Sequence, residues 1–411
     1  MAKFTRLETS DRYVKCIPLA QRHASKVRGL AKRFVTPWLM VVCLVPCLTL
    51  ASEACDSTDS VGFICGIENA EDLIRVPNSD WLIASGRESA VAGTLYAVHQ
   101  TTRAHYALFP SVGSVNSPSS TYAANCPGPI DQFQPHGISV RQVAKDQYEL
   151  YVVGHGAREA IEIFELRLSA DQPSLRWSGC ISAPDSVERF NAVTALPGGR
   201  IAVTHLPSFN SERRGLGEVW AWSASDGWNV IPGGAISGAN GIVAAPDGQS
   251  VFVSEYFSES LIQIFLGDKA GQVNRYKIGY SIDNIRWSED GQLLLTAHER
   301  NCDLKGQCDR GAPGAYVLRF NPETGQSQEL FYHPAQTFLP IATVVEEVDG
   351  ALWMGGIRGA DRIVILRRPA RDSSFATRCQ SVASRPSLAS RALSTGVSGL
   401  GRLTPFYYCG P

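Results

Sequence analysis

Between Asn240 and His298 the sequence reads NGIVAAPDGQSVFVSEY and then, after a gap, DNIRWSEDGQLLLTAH. In each segment a polar residue opens a short apolar run, an Asp-Gly pair interrupts it, and strand formers resume. Asp-Gly between two such runs is among the strongest hairpin signals a sequence can hold. Asn240 stands as far before Asp247 as Asp283 stands before Asp290. The same lead recurs from Glu71 to Asn78 in EDLIRVPNSDWLIASG and from Asn191 to Gly198 in NAVTALPGGRIAVTH. Looser copies run from His136 to His155 and from Ala342 to Gly356, so the turns fall near residues 79, 146, 198, 247, 290 and 349. Hairpins at intervals of roughly 40 to 70 residues suit one four-stranded blade each. The fold expected is therefore an all-β, six-bladed β-propeller with a central channel.

The chain before the first hairpin has another character. Residues 1–34 are basic, with Lys3, Arg6, Arg12, Lys15, Arg22, Lys26, Arg28, Lys32 and Arg33 against Glu8 and Asp11, and an apolar run follows to Ala51. A charged segment, an apolar core and small residues at Ala51, Ser52 and Ala54 are the order of an export signal. An uncleaved membrane anchor and a start codon placed too early are the alternatives. The expectation is an exported protein, whether periplasmic, secreted or held at a membrane by this segment. The domains expected are a leader (1–54), the propeller (55–369) and a Ser/Ala/Arg-rich tail (370–411) whose end packs back on the propeller. Eight cysteines follow the leader: Cys55, Cys65, Cys126, Cys180, Cys302, Cys308, Cys379 and Cys409. An even number behind such a leader suggests disulfides, with Cys302–Cys308 and a ring-closing Cys65–Cys409 as the pairs to test.

A net charge of -1 leaves no electrostatic footprint for nucleic acid. There is no Gly-x-Ser-x-Gly elbow and no phosphate loop. Chemistry has to come from the repeat itself. In a propeller, equivalent positions of the innermost strands face one another across the channel. The residue that leads each turn is such a position, and it is Glu71, Asn191, Asn240 and Asp283, with Asn284 beside the last. Two carboxylates converging on one axis would repel, and one would have to take up a proton. A bound cation removes that cost, and oxygen-only donors select a hard ion such as Ca²⁺. The bland account is that these residues merely bond loop backbone at strand starts.

The motifs GIENAEDL, PHGIS, NGI-x3-PDG and DNI, in this order, resemble the paraoxonase (arylesterase/lactonase) family. More distantly the chain resembles the gluconolactonase/SMP-30 and strictosidine synthase-like six-bladed propellers. The resemblance spans about residues 62–367. It implies a catalytic Ca²⁺ at the channel mouth held by Glu71, Asn191, Asn240, Asp283 and Asn284. It also implies a catalytic histidine pair, His136 and His155, which activates water while the metal polarises the ester carbonyl. His298 and His205 are the candidates to line the substrate cavity. A second, structural Ca²⁺ would use Asp72 and the Ile138 carbonyl, but the family's further Asp is Ala192 here, so that site is expected to be weak, filled by another ion, or absent. The function implied is an exported Ca²⁺-dependent hydrolase acting on a small-molecule lactone or aryl ester. A sugar-lactone hydrolase and a non-catalytic, metal-stabilised propeller that binds a partner are the rivals.

Overall fold

The computed structural model describes residues 55–367, apart from short internal segments of which the longest are 111–117, 208–216 and 300–314. The leader, the tail and the Cys302–Cys308 pair lie outside the described residues. Six four-stranded antiparallel sheets make up the described chain. Blade one comprises β2 (Ala70–Arg75), β3 (Trp81–Gly86), β4 (Thr94–His99) and β5 (His105–Phe109). Blade two comprises β6 (Phe133–Ala144), β7 (Gln147–Gly156), β8 (Ala160–Arg167) and β9 (Ser174–Ser182). Blade three is β10 (Phe190–Leu196), β11 (Arg200–His205), β12 (Gly217–Ser223) and β13 (Gly227–Ile236), and blade four is β14 (Ala239–Ala244), β15 (Ser250–Glu255), β16 (Ser260–Phe265) and β17 (Val273–Lys277). Blade five is β18 (Ser281–Trp287), β19 (Leu293–His298), β20 (Ala315–Asn321) and β21 (Gln326–His333). Blade six has β22 (Ile341–Val348), β23 (Ala351–Ile357) and β24 (Arg362–Leu366), and it is completed by the first strand of all, β1 (Val61–Cys65).

Each hairpin read from the sequence is the inner pair of a blade. All six inner turns contain a residue with positive φ: Asn78, Asp146, Gly198, Gly248, Gly291 and Gly350. That conformation suits Gly and is tolerated by Asn and Asp. The first strands touch in the order β2, β6, β10, β14, β18, β22 and back to β2, which closes the ring around the axis. Alternate side chains of each sheet then meet those of the next blade. Between blades three and four, for example, Leu196, Ala202 and Val219 pack with Ile242, Val251, Val253 and Ile262. Each such side chain contributes on the order of 1.5–3 kcal/mol by leaving water. The hairpins alone could not hold together without this stacking.

The ring is tied by backbone pairing and not by a terminal disulfide. Val61 lies opposite Leu366 and Cys65 opposite Arg362 in the β1–β24 ladder. Cys65 is bonded to Cys55, with Cα atoms 6.2 Å apart, which corrects the expected bond to Cys409. The reason is local: Ser57 and Thr58 bond the amides of Phe63 and Val61, folding the preceding segment back along β1. A second disulfide joins Cys126 to Cys180 in β9.

Candidate functional site

Every innermost strand breaks its register at the same place. The bulges fall between Ala70 and Asp72, Pro135 and Ile138, Phe190 and Val193, Ala239 and Ile242, Ile282 and Ile285, and Ala342 and Val344. The residues inside them are Glu71, His136-Gly137, Asn191-Ala192, Asn240-Gly241, Asp283-Asn284 and Thr343. A bulge inserts an unpaired residue and re-aims its side chain. Repeated around the ring, the bulges set Glu71, His136, Asn191, Asn240, Asp283, Asn284 and Thr343 at equivalent positions, all of them buried. The close approach of neighbouring bulges demands small residues: a Cβ on Gly137 would lie 2.5 Å from the Ala192 Cα, and one on Gly241 would lie 2.4 Å from the Asp283 carbonyl oxygen.

Hydroxyls from neighbouring strands lock the bulges. Thr204 Oγ1 donates to the Asn240 carbonyl, Ser254 Oγ to the Asp283 carbonyl at 2.6 Å, and Thr343 Oγ1 to the Glu71 carbonyl at 2.7 Å. These supporting residues are not marked by the repeat, although Ser85, Thr204, Ser254 and Thr296 recur near the end of the second strand in blades one, three, four and five and carried the signal.

The five expected ligands are all buried. The Asn284 side-chain amide sits 3.4 Å from Glu71 Oε1, and the Asn240 side chain hydrogen-bonds Asp283. Burial pushes the Glu71 carboxyl up to about 7 against the pull of Arg87, Asn284 and Arg286. Burial, joined by the charge of Glu71, raises Asp283 well above the ordinary carboxylate range. Glu71 Oε2, Asn191 Oδ1 and Asn240 Oδ1 are buried without any hydrogen-bond partner. An orphaned buried oxygen costs about 1–3 kcal/mol, and three of them in equivalent bulges of one ring fit a cation that all three could ligate. Among the described residues no three His, Cys, Asp or Glu side chains form a metal cluster; the oxygens gathered in the ring are carboxylates mixed with amides.

The second metal position does not fit. Asp72 receives the guanidinium of Arg286 from blade five, and it also accepts the Leu73 and Ile138 amides at 2.9 and 2.8 Å. Ile138 thus offers its N–H to Asp72. Arg286 is itself buried, and it donates further to the Leu73 and Ile285 carbonyls, both at 2.9 Å, with Glu346 3.5 Å away. At the position the resemblance gives to a second ion, expected to be weak, filled by another ion or absent, the chain supplies its own cation.

His136 and His155 are adjacent, with Nδ1 of the first 2.9 Å from Nε2 of the second. His155 Nδ1 lies 2.7 Å from Glu159 Oε2, and Glu159 Oε1 accepts the Phe190 amide at 2.7 Å. Arg189 Nε points at His155 Nε2 from 3.3 Å, and Arg87 points at His136 Nε2 from 3.2 Å. Because a guanidinium can only donate, both Nε2 atoms are acceptors. His136 then donates through Nδ1 to His155, and His155 through Nδ1 to Glu159. Burial, with Arg87 and Arg189 nearby, holds His136 well below the usual imidazole range, and burial together with His136 does the same for His155. Glu71 Oε1 is 3.2 Å from His136 Nε2. With the imidazole held well below its usual range and so uncharged, this contact is not a salt bridge.

Glu159 was not singled out in the sequence, although it stands one turn beyond His155 in HGARE. Its loop is anchored by Arg158, which binds the fully buried Glu162 through Nε and NH2 at 2.7 and 2.8 Å while Trp177 Nε1 donates to the same carboxylate. His298 lies beside the ring, its Nδ1 3.9 Å from Asp283 Oδ2 and its Nε2 on the Ala342 carbonyl. His205 has no exposed surface and faces Glu218 at 3.3 Å.

No protein-family model matches the sequence, and no curated protein matches it. Solved structures similar in chain course include a gluconolactonase from Xanthomonas campestris, at 15% identity over 78% of this chain and 94% of that one, with a TM-score of 0.46. Others are regucalcin, a calcium-binding protein from Agrobacterium tumefaciens, at 10% identity over 74% and 90% with a TM-score of 0.46, and a luciferin-regenerating enzyme at 11% over 74% and 92% with a TM-score of 0.48. The six sheets by themselves define a six-bladed β-propeller.

Proposed function

We propose that this propeller is a calcium-dependent hydrolase of small lactones or aryl esters, of the paraoxonase type. The observation that carries the reading is the set of orphaned oxygens on Glu71, Asn191 and Asn240, in the same ring of bulges that holds His136. Glu71, Asn191, Asn240, Asp283 and Asn284 would hold the ion. When bound, calcium would polarise a carbonyl and offset the charge that grows on its oxygen.

His136 acts as the base. Its Nε2 is unprotonated and faces the ligand ring, where it can take a proton from a water aimed at the carbonyl. The imidazolium so formed is held through Nδ1 by His155, and His155 in turn by Glu159. A carboxylate at the far end of that chain favours the charged form and keeps both rings in one orientation. His298, beside Asp283, is placed to touch the substrate's acyl part.

Export belongs to the same reading. It is supported by the basic-then-apolar order of residues 1–51 and by two disulfides in the described chain, which persist in oxidising compartments. Membrane attachment through the apolar run is part of that reading too. The test is hydrolysis of a panel of alkyl lactones, sugar lactones and aryl esters by purified protein, with calcium and with chelator. Turnover that vanishes with chelator and returns with calcium is expected. Failure on the whole panel with calcium present would overturn the reading.

A further inference from the structure

Two arginines stand over the histidine pair, and among the described residues neither is in ion-pair contact with a carboxylate, the nearest charges felt by Arg87 being Glu71, Asp283 and Glu159. Arg87 follows β3, and Arg189 directly precedes β10. One guanidinium donates to His136 and the other to His155. Both also donate to a single acceptor, the Gln134 side-chain carbonyl, at 3.1 Å from Arg87 and 3.5 Å from Arg189. Gln134 is buried, and its amide nitrogen donates to the Ser89 carbonyl, which fixes its oxygen toward the two cations. Among the described residues no carboxylate comes within ion-pair distance of either guanidinium, and most of each fork's N–H donors have no protein acceptor.

This arrangement is costly as it stands. Two like charges share one neutral acceptor in a half-buried site, where their repulsion is only partly screened. The carboxylates of the ring do not neutralise them once a divalent cation is bound there. What satisfies a pair of half-buried guanidinium forks is an anion with two coplanar oxygens, because each fork binds such a group through parallel N–H bonds. The forks touch the rings of the proton relay, so that anion would sit within a few atoms of the carbonyl under attack.

We infer that Arg87 and Arg189 recognise a carboxylate carried by the substrate itself, close to the scissile bond, so that the preferred substrates are short acidic lactones or esters and not neutral or long-chain ones. This rests on the hydrolase reading above and narrows it.

The test uses the full protein with calcium and two matched rings, γ-valerolactone and γ-butyrolactone-γ-carboxylate. Wild-type kcat/KM should favour the acidic ring at least tenfold. In Arg189→Gln that ratio should fall at least tenfold, chiefly through KM on the acidic ring, while Arg189→Lys should keep part of it. A wild-type ratio of one or less, or an equal loss on both rings in Arg189→Gln, would overturn the inference and leave the hydrolase reading standing. If neither ring is hydrolysed, calorimetry with the acidic product, 2-hydroxyglutarate, decides: binding to wild type that weakens at least tenfold in Arg189→Gln sustains the anion site, and equal or no binding overturns it.

Discussion

Arg286 and Asp72, from the inner strands of blades five and one, meet as a buried ion pair. In the calcium reading proposed above, this guanidinium occupies the carboxylate that a second ion would need. Calcium titration followed by calorimetry should therefore saturate at a single ion per chain, and chelation should leave the propeller folded, as read by far-ultraviolet dichroism. Arg286→Met strands Asp72 and the nearby Glu346 without their partner and should lower unfolding stability by about 3–5 kcal/mol.

Glu71→Gln keeps the shape of the bulge residue and removes its charge. Hydrolysis should fall at least 100-fold, and the midpoint of calcium activation should rise at least tenfold. Asp283→Asn should behave alike. A variant with normal calcium dependence would remove that residue from the ligand set.

Burial lifts Glu159 to about 8, against the pull of the Phe190 amide, Arg189 and Arg87. Its ionised form is the stronger acceptor for His155 and the one that stabilises a charged ring beyond it, so kcat/KM should rise through about pH 8 and then level off. Glu159→Gln should lose that step and run about 100-fold slower, in the range usual for removing general-base support. A pH profile unchanged in Glu159→Gln would separate this carboxylate from the reaction.

Glu346 gives a stability prediction with its own sign. Burial raises it from 4.5 to about 8 although Arg286 and Arg75 pull it down. The folded state thus holds a proton that the unfolded state gives up. This contribution to stability is fully present below about pH 4.5 and is lost as pH rises through about 8. Denaturant midpoints should decline across that window, and Glu346→Gln should flatten the decline.

The ring was legible because its logic is periodic. Turn residues such as Asp247-Gly248 announce hairpins, and equal leads from Glu71, Asn191, Asn240 and Asp283 announce equivalence. The bulges were not legible, because an alternating pattern with one extra residue still reads as a strand. Thr343 was hidden for that reason, inside ATVVEEVDG. Arg87, Gln134, Glu159 and Arg189 lie at the strand margins and connections, where nothing repeats and only the folded chain brings them together. Cys65 was paired wrongly because a ring can be tied by hydrogen bonds as well as by sulfur.

The β1–β24 ladder has a consequence in time. β1 is the first strand of the propeller to leave the ribosome, and it must wait for the last before it has a neighbour. Until Arg362–Leu366 arrives, blade six lacks half its strands. That blade carries the Thr343 hydroxyl which fixes the Glu71 backbone, so the ring closes on an incomplete sheet. An unfinished chain is therefore silent: the closing strand works as a completeness check, and any chain truncated before it should neither capture an ion nor turn over an ester.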